Sequence, residues 1–168
     1  MSAAAEIAIE EVATASHSAV AELFNEYREA LLAHDVPIDS FQGFGAEIDS
    51  LPFKYTRAQR GALFLARNAG SGATAGCAAL KDLGGGVAEV KRLYTRPAFR
   101  RRGVAAALSR AVEAAARELG YRRLVLDTLV RLPGARELYA SLGFAPIERY
   151  NDNPMPDAVF LGKALAHQ

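Results

Sequence analysis

The sequence contains no tryptophan, one cysteine and three histidines in 168 residues. A lone cysteine, Cys77, cannot form an internal disulfide. The three histidines (residues 17, 34 and 167) are too far apart in sequence to show the spacing of a metal-binding motif. We therefore expect a protein with no disulfide framework and no metal site.

Long apolar runs and a basic leader are also missing. No run approaches the roughly 20 apolar residues that a membrane-spanning helix needs, and the first twelve residues include acids but no cation. The chain is 51% hydrophobic and 23% charged, which is typical of one folded domain of this length. We predict a single domain over residues 1–168, a cytoplasmic location and no membrane partner.

The net charge of +1 conceals an uneven distribution. Residues 1–50 hold ten acids and one base, a net charge of −9, whereas residues 51–168 hold nine acids and nineteen bases, a net charge of +10. One interpretation is a pair of binding surfaces, in which Asp35, Asp39, Glu47 and Asp49 attract a cationic amine. The other is an acidic N-terminal helix that lies on a basic body, and charge alone leaves both open.

Hydrophobic periodicity predicts an α+β fold. The pattern indicates strands at residues 7–12, 61–67, 74–83, 87–95, 121–127, 144–150 and 158–162. It indicates helices ending near residue 34 and covering residues 44–50, 103–119 and 133–142. Short turns join the second, third and fourth strands into an antiparallel meander, and the helix at 103–119 forms the centre of a β-α-β crossover.

The fourth predicted strand leads through a basic loop into this central helix. Between Val90 and Arg110 there are six cations and no acid. The cations are Lys91, Arg92, Arg96, Arg100, Arg101 and Arg102. The first turn of a helix presents backbone N–H groups without intrahelical acceptors, and Gly103 would let a phosphate approach them closely. The segment therefore predicts a site for a polyanion.

Two common phosphate-binding motifs are absent. The chain has no G-x-x-x-x-G-K-(S/T), and its glycine clusters at residues 70–72 and 84–86 lack the G-x-G-x-x-G spacing. Residues 100–105, R-R-R-G-V-A, instead match (Q/R)-x-x-G-x-(G/A). That motif, the strand before it, the L-V-L-D at 124–127 and the A-x-x-L-Y-x-x-x-G-F at 135–144 resemble the GNAT superfamily of acetyl-CoA-dependent N-acetyltransferases over roughly residues 61–149.

This resemblance implies a mixed, mostly antiparallel central sheet flanked by helices, with acetyl-CoA as cosubstrate. It implies that the backbone of Leu93, Tyr94 and Thr95 pairs with the pantetheine arm, and that an amide near Leu93 polarises the thioester carbonyl. The pyrophosphate would contact the segment after the strand, where Arg100 or Arg101 adds charge. The residues implied to give amides are Arg101, Arg102, Gly103, Val104 and Ala105. Leu132 stands where many members have a pantetheine-binding asparagine.

An amine acceptor needs a group that removes its proton. At pH 7 roughly one alkylamine in 2,500 is neutral, and only the neutral form has a lone pair for attack. The resemblance implies Glu89 as the base, directly or through water, whereas a solvent-facing Glu89 paired with Lys91 or Lys81 is equally compatible with the pattern. Tyr139 matches the family's general acid, although it could instead belong to the packed face of a helix.

These features favour an N-acetyltransferase that acts on a primary amine of a small molecule or peptide. Cys77 follows Gly76 in an apolar strand, so we expect an inert core thiol and direct transfer without an acyl-enzyme. The alternatives are a non-catalytic acyl-CoA-binding module and, less favoured, a nucleic-acid-binding protein. The latter is less favoured because the acidic residues would repel a long phosphate backbone. The predicted partners are acetyl-CoA and the amine, with no nucleic acid, and a homodimer is left open.

Overall fold

Seven strands form one sheet in the part of the chain that the structure describes, and its inner strands are buried on both faces. The structure is a computed structural model that describes residues 6–12, 17–39 and 43–166. The strands are β1 (Ile7–Glu11), β2 (Ala62–Asn68), β3 (Thr74–Gly84), β4 (Val87–Thr95), β5 (Arg123–Leu129), β6 (Ala145–Pro146) and β7 (Ala158–Ala164). Their order across the sheet is β1-β2-β3-β4-β5-β7-β6.

Neighbouring strands are antiparallel except at the centre of the sheet. There β4 and β5 run parallel, and they pair only from Val87 opposite Arg123 to Glu89 opposite Val125. A helix connects these two strands, because parallel neighbours require a crossover. The predicted α+β fold, with its mixed sheet and central β-α-β unit, is confirmed.

Helices cover both faces of the sheet. They are α1 (His17–Ala33), α2 (Phe44–Asp49), α3 (Val104–Glu118) and α4 (Ala135–Ser141), with 3-10 turns at Phe53–Tyr55, Arg57–Gln59 and Pro97–Phe99. One apolar stripe of α3, including Val104, Leu108 and Val112, packs on one face of the sheet. Leu23 and Phe24 of α1 and Phe44 of α2 belong to the core on the opposite face. The hydrophobic effect therefore holds the sheet between two helical layers.

The strand predicted at residues 144–150 is wrong over most of its length. Only Ala145–Pro146 is a strand, paired with β7. Pro146 has no N–H for a ladder, and after Ile147 the chain turns back over the sheet, where the Tyr150 hydroxyl bonds to Glu89. Within the described residues, no helix has both the length and the apolar character needed to cross a bilayer.

Candidate active site

The parallel strands β4 and β5 separate beyond their short paired region. A cavity of about 650 Å³ lies in the gap, lined by all six residues from Val90 to Thr95 on one side and by Asp127, Thr128 and Leu129 on the other. The edge of β4 that faces β5 is unpaired along this stretch, since the ladder ends at Glu89. An extended ligand could therefore lie along β4 as an added strand.

A β-bulge at Arg92 accompanies the separation of the strands. The pairing of β3 with β4 shifts register between Ala79 opposite Lys91 and Cys77 opposite Tyr94, and Arg92 adopts a φ of 59°. Bulges bend a strand and increase its twist. The Arg92 side chain is buried on the face of the sheet that α2 covers, where its Nε donates to Glu47 at 2.6 Å.

The N-terminus of α3 opens into the same cavity. The first hydrogen bond of the helix runs from the Ala107 N–H to the Gly103 carbonyl at 3.0 Å, so the three preceding amides have no acceptor within the helix. Gly103 has a φ of 76°, and no neighbouring atom lies within 4 Å of the place where a Cβ would stand. This open turn is a suitable cradle for a phosphate group.

Most of the residues predicted to bind the cofactor meet in this cavity. Its lining includes Leu93, Tyr94, Thr95, Arg100, Arg101, Gly103, Val104, Ala105 and Leu132. Arg102 is not part of the lining, although its guanidinium lies 5.7 Å from the centre of the ring of Phe99, which does line the cavity. The backbone positions expected for the pantetheine and for the pyrophosphate are thus continuous with each other.

The predicted base, Glu89, is buried beside the cavity and does not line it. Its Oε2 accepts the Tyr150 hydroxyl hydrogen at 2.6 Å, and its Oε1 lies 3.7 Å from Lys91 Nζ. Lys91 does line the cavity. Burial, followed by the positive charge of Arg92, lowers the pKa of Lys91 to about 8. A lysine with such a pKa is partly neutral at slightly alkaline pH and can exchange a proton there.

The predicted acid, Tyr139, lies on α4 and lines the cavity. Its ring meets Phe144 edge to face at a centroid distance of 6.1 Å. Burial raises the pKa of Tyr139 well above its usual value near 10, and the Tyr27 and Asp127 charges act in the same direction. The phenol therefore holds its proton at neutral pH, and burial makes it a weaker acid than a free tyrosine.

Comparison with known proteins decides the family. Residues 18–144 match the model of the Acetyltransferase (GNAT) family. The chain belongs to the GNAT family of acetyltransferases. An uncharacterized N-acetyltransferase of Schizosaccharomyces pombe is 36% identical over 123 residues, which cover 73% of this chain and 74% of that protein. These relationships establish an acetyltransferase enzyme and confirm the resemblance in the sequence.

Solved structures support the GNAT fold. A GNAT acetyltransferase from Staphylococcus aureus superposes with a TM-score of 0.79 at 19% identity and covers 96% of this chain and 100% of its own. A PaiA N-acetyltransferase from Thermoplasma acidophilum, solved in complex with coenzyme A, gives a TM-score of 0.72 at 14% identity, with 95% and 99% covered.

Sequence reasoning missed one side of the GNAT cavity. Tyr27, Asp127 and Asn153 line it, although none was assigned a role. The side-chain amides of Asn151 and Asn153 donate to Asp127 Oδ2 at 3.0 and 2.9 Å. The only local signals were two: an aspartate that follows the apolar residues 124–126, and a proline-rich segment with two asparagines. Neither signal shows that the two segments meet.

Five of the ten acids of the first third form salt bridges with the remainder of the chain. None of Asp35, Asp39, Glu47 and Asp49 lines the cavity. The bridges that join residues 1–50 to the remainder are Arg57–Glu11, Arg67–Glu10, Lys54–Glu47, Arg92–Glu47, Arg96–Glu22 and Arg96–Glu26. Half of the acids of the first third are thus paired with basic residues of the remainder, which favours the second interpretation. Among the described residues, no group of three or more histidines, cysteines or carboxylates could hold a metal ion.

Proposed function

We propose that this GNAT enzyme transfers the acetyl group of acetyl-CoA to a primary amine of a small molecule or peptide by direct attack. The supporting observation is the continuity of the unpaired edge of β4 with the acceptor-free amides of α3. Such a path suits a ligand with an extended arm at one end and a diphosphate at the other.

The residues fit coenzyme A at both ends of the path. Main-chain groups of Leu93, Tyr94 and Thr95 would hold the pantetheine arm, and an amide near Leu93 would polarise the thioester carbonyl. The amides that follow Arg100 would hold the pyrophosphate, with Arg100 and Arg101 adding charge. Arg102 would contribute its amide alone, since it is not among the residues that line the cavity.

Acetyl-CoA supplies an activated thioester, so that transfer forms a C–N bond, breaks the C–S bond and leaves an amide and a thiol. Two protons must move: one leaves the attacking amine and one reaches the departing sulfur. Tyr139 would protonate the sulfur, because it lines the cavity in its protonated form. Glu89 would receive the amine proton indirectly, since it does not line the cavity, whereas Lys91, whose Nζ lies 3.7 Å from Glu89 Oε1, does.

Cys77 is unsuitable as a covalent carrier of the acetyl group. The thiol is fully buried, outside the cavity lining, and its Sγ donates to the Arg92 carbonyl at 3.3 Å. Burial raises its pKa far above the usual value, so a thiolate is disfavoured. Transfer would therefore proceed from the thioester to the amine in one chemical step.

The test is thiol release from acetyl-CoA with a panel of amines, peptides and aminoglycosides, for wild type, Glu89→Gln and Tyr139→Phe. We expect each variant to lower kcat by at least about tenfold, with the KM for acetyl-CoA changed by less than about twofold, because general acid and base groups act mainly in the transition state.

Two matched variants serve as controls. Tyr121→Phe removes another buried hydroxyl, which donates to the Arg60 carbonyl at 2.6 Å, and Glu113→Gln removes a carboxylate paired with Lys163 and Arg117. Both should retain activity. Full activity of Glu89→Gln and Tyr139→Phe would reject their roles, whereas coenzyme A binding without acetylation of any amine would favour a non-catalytic binding module.

A further inference from the structure

The cavity extends beyond the predicted path of coenzyme A toward α1. The part of the lining near α1, called here the second arm, consists of Tyr27, Ala30, Leu31, His34, Val36 and Ile38, and Asp127 of β5 lines the same cavity. Its wall is mainly apolar. Of the described residues that line the whole cavity, Asp127 is the only acid.

Asp127 is held in one orientation. The Asn151 side-chain oxygen accepts the Asn153 N–H at 3.0 Å, and the Asn153 side-chain oxygen accepts the Met155 N–H at 3.0 Å. With their oxygens occupied, both asparagines direct their NH₂ groups at Asp127, and both donate to Oδ2. The described residues give Oδ1 no hydrogen bond, so this oxygen can accept one from a ligand.

Two of the cations that line the cavity, Arg92 and Lys91, have carboxylate partners. Arg92 pairs with Glu47 at 2.6 Å, and Lys91 lies 3.7 Å from Glu89. No cation among the described residues forms a salt bridge with Asp127. Its negative charge contributes to the raised pKa of Tyr27, Tyr139 and Tyr150, which indicates that the carboxylate lies among three phenols. A partly buried carboxylate in such surroundings is stabilised by a cation.

We propose that Asp127 Oδ1 binds the ammonium group of the acceptor, and that the acceptor is an aliphatic amine with an apolar chain and no carboxylate beside the nitrogen. The inference rests on the proposed function. The apolar arm accommodates the chain, and Tyr139 and Asp127 line the same cavity. A neighbouring carboxylate is disfavoured, because Arg92 and Lys91 already have anionic partners.

A matched pair of acceptors tests the substrate class. 3-Methylbutylamine and leucine share one carbon skeleton and differ by the carboxylate beside the amine. We expect kcat/KM for the amine to exceed that for leucine by at least about tenfold, and leucinamide to be the better acceptor of the two leucine derivatives. Equal efficiency with leucine and 3-methylbutylamine would overturn this part of the inference.

Asp127→Asn tests the anchor. We expect the KM for 3-methylbutylamine to rise by about tenfold or more, the value expected for loss of a hydrogen bond between charged groups. The KM for acetyl-CoA should change by less than twofold, and turnover of aniline, which is uncharged at neutral pH, should be unaffected. The control is Asp152→Asn, which removes an exposed acid from the loop that carries Asn151 and Asn153.

Calorimetry with coenzyme A separates the possible failures. If wild type binds coenzyme A, an unchanged amine KM in Asp127→Asn overturns the anchor and leaves the proposed function intact. Binding of coenzyme A with neither binding nor acetylation of any amine also overturns the anchor. If folded wild type fails to bind coenzyme A at millimolar concentration, the proposed function itself is wrong.

Discussion

Glu47 is a buried carboxylate on α2 with three partners. Arg92 Nε, the Tyr55 hydroxyl and Lys54 Nζ lie 2.6, 2.5 and 2.9 Å from its oxygens. Burial alone would raise its pKa. The hydrogen bond and charge of Arg92 and the hydrogen bonds of Tyr55 and Lys54 outweigh burial and lower the pKa from 4.5 to about 2. Its charged form therefore stabilises the fold by on the order of 3 kcal/mol.

Replacing Glu47 should destabilise the protein in a pH-dependent way. At pH 7 we expect Glu47→Gln to lower the free energy of unfolding by about 2–4 kcal/mol, because the substitution removes the ion pair between Glu47 and the buried Arg92. The contribution is complete above a pH of about 4.5 and is lost as the pH falls toward 2, so the difference from wild type should shrink by more than half at pH 3.

Urea unfolding of wild type, Glu47→Gln and Asp49→Asn at pH 7 and pH 3 measures this effect. Asp49 is an exposed acid of the same helix, and its replacement should change stability by less than about 0.5 kcal/mol. A Glu47→Gln protein as stable as wild type at pH 7 would show that the buried pair contributes nothing.

Single residues differ in how far the sequence reveals their roles. The L-Y-x-x-x-G-F pattern singled out Tyr139, which lies on α4 and lines the cavity, and its role as general acid stays a prediction. The role of Glu47 was not predictable, because only the folded chain brings Arg92 to it from 45 positions away. The φ of 59° at Arg92 was equally hidden, since no local propensity marks an arginine for the left-handed region.

At the scale of elements, α3 offers an internal comparison between its two ends. Gly103 precedes the helix with a φ of 76° and Gly120 follows it with a φ of 83°, and at both positions no atom lies within 4 Å of an added Cβ. Substitution at either glycine therefore brings a similar backbone strain of about 1–2 kcal/mol. Only Gly103 lies in the cavity.

We expect Gly103→Glu to weaken coenzyme A binding at least a hundredfold and Gly120→Glu to leave it within about twofold of wild type. A carboxylate at residue 103 would occupy the phosphate cradle and repel the ligand, whereas residue 120 is at the opposite end of the helix. Calorimetry gives the affinities, and thermal melts show whether the two variants are comparably stable. Equal coenzyme A affinities of the two variants would show that the phosphate does not bind at Gly103.

Elements with strong periodicity were predicted well. Both bounds of β4 (Val87–Thr95) agree with the prediction, and α3 (Val104–Glu118) begins and ends within one residue of it. The predicted strand at 144–150 failed because tertiary contacts override local β propensity there. The Tyr150 hydroxyl instead bonds to Glu89, and the side-chain amides of Asn151 and Asn153, just after it, bond to Asp127.

At the scale of the whole molecule, the charge distribution serves mainly to assemble the two parts of the chain. Two of the six cations that made the loop region strongly basic, Arg92 and Arg96, pair with acids of the first third. None of the ion pairs among the described residues involves Arg100, Arg101 or Arg102. A smaller basic surface at one end of a cavity suits a compact anion better than a long nucleic-acid backbone.

This division of the cations predicts opposite effects for two arginines five positions apart. Arg101 lines the cavity, whereas Arg96 binds Glu22 and Glu26 of α1 and the Thr74 hydroxyl of β3. We expect Arg101→Gln to weaken coenzyme A binding by about five- to tenfold with little change in unfolding free energy, as for a partly screened phosphate contact. Arg96→Gln should instead lower unfolding free energy by about 1–2 kcal/mol and leave coenzyme A affinity within twofold.

The two measurements, calorimetry with coenzyme A and urea unfolding, are made on both variants. Raising the salt concentration should weaken coenzyme A binding in wild type more than in Arg101→Gln, because the variant has one cation fewer near the ligand. If Arg96→Gln weakened the binding of coenzyme A as much as Arg101→Gln, the basic loop would act as one undivided anion site. The pairing of Arg96 with α1 would then contribute to ligand binding as well as to assembly of the fold.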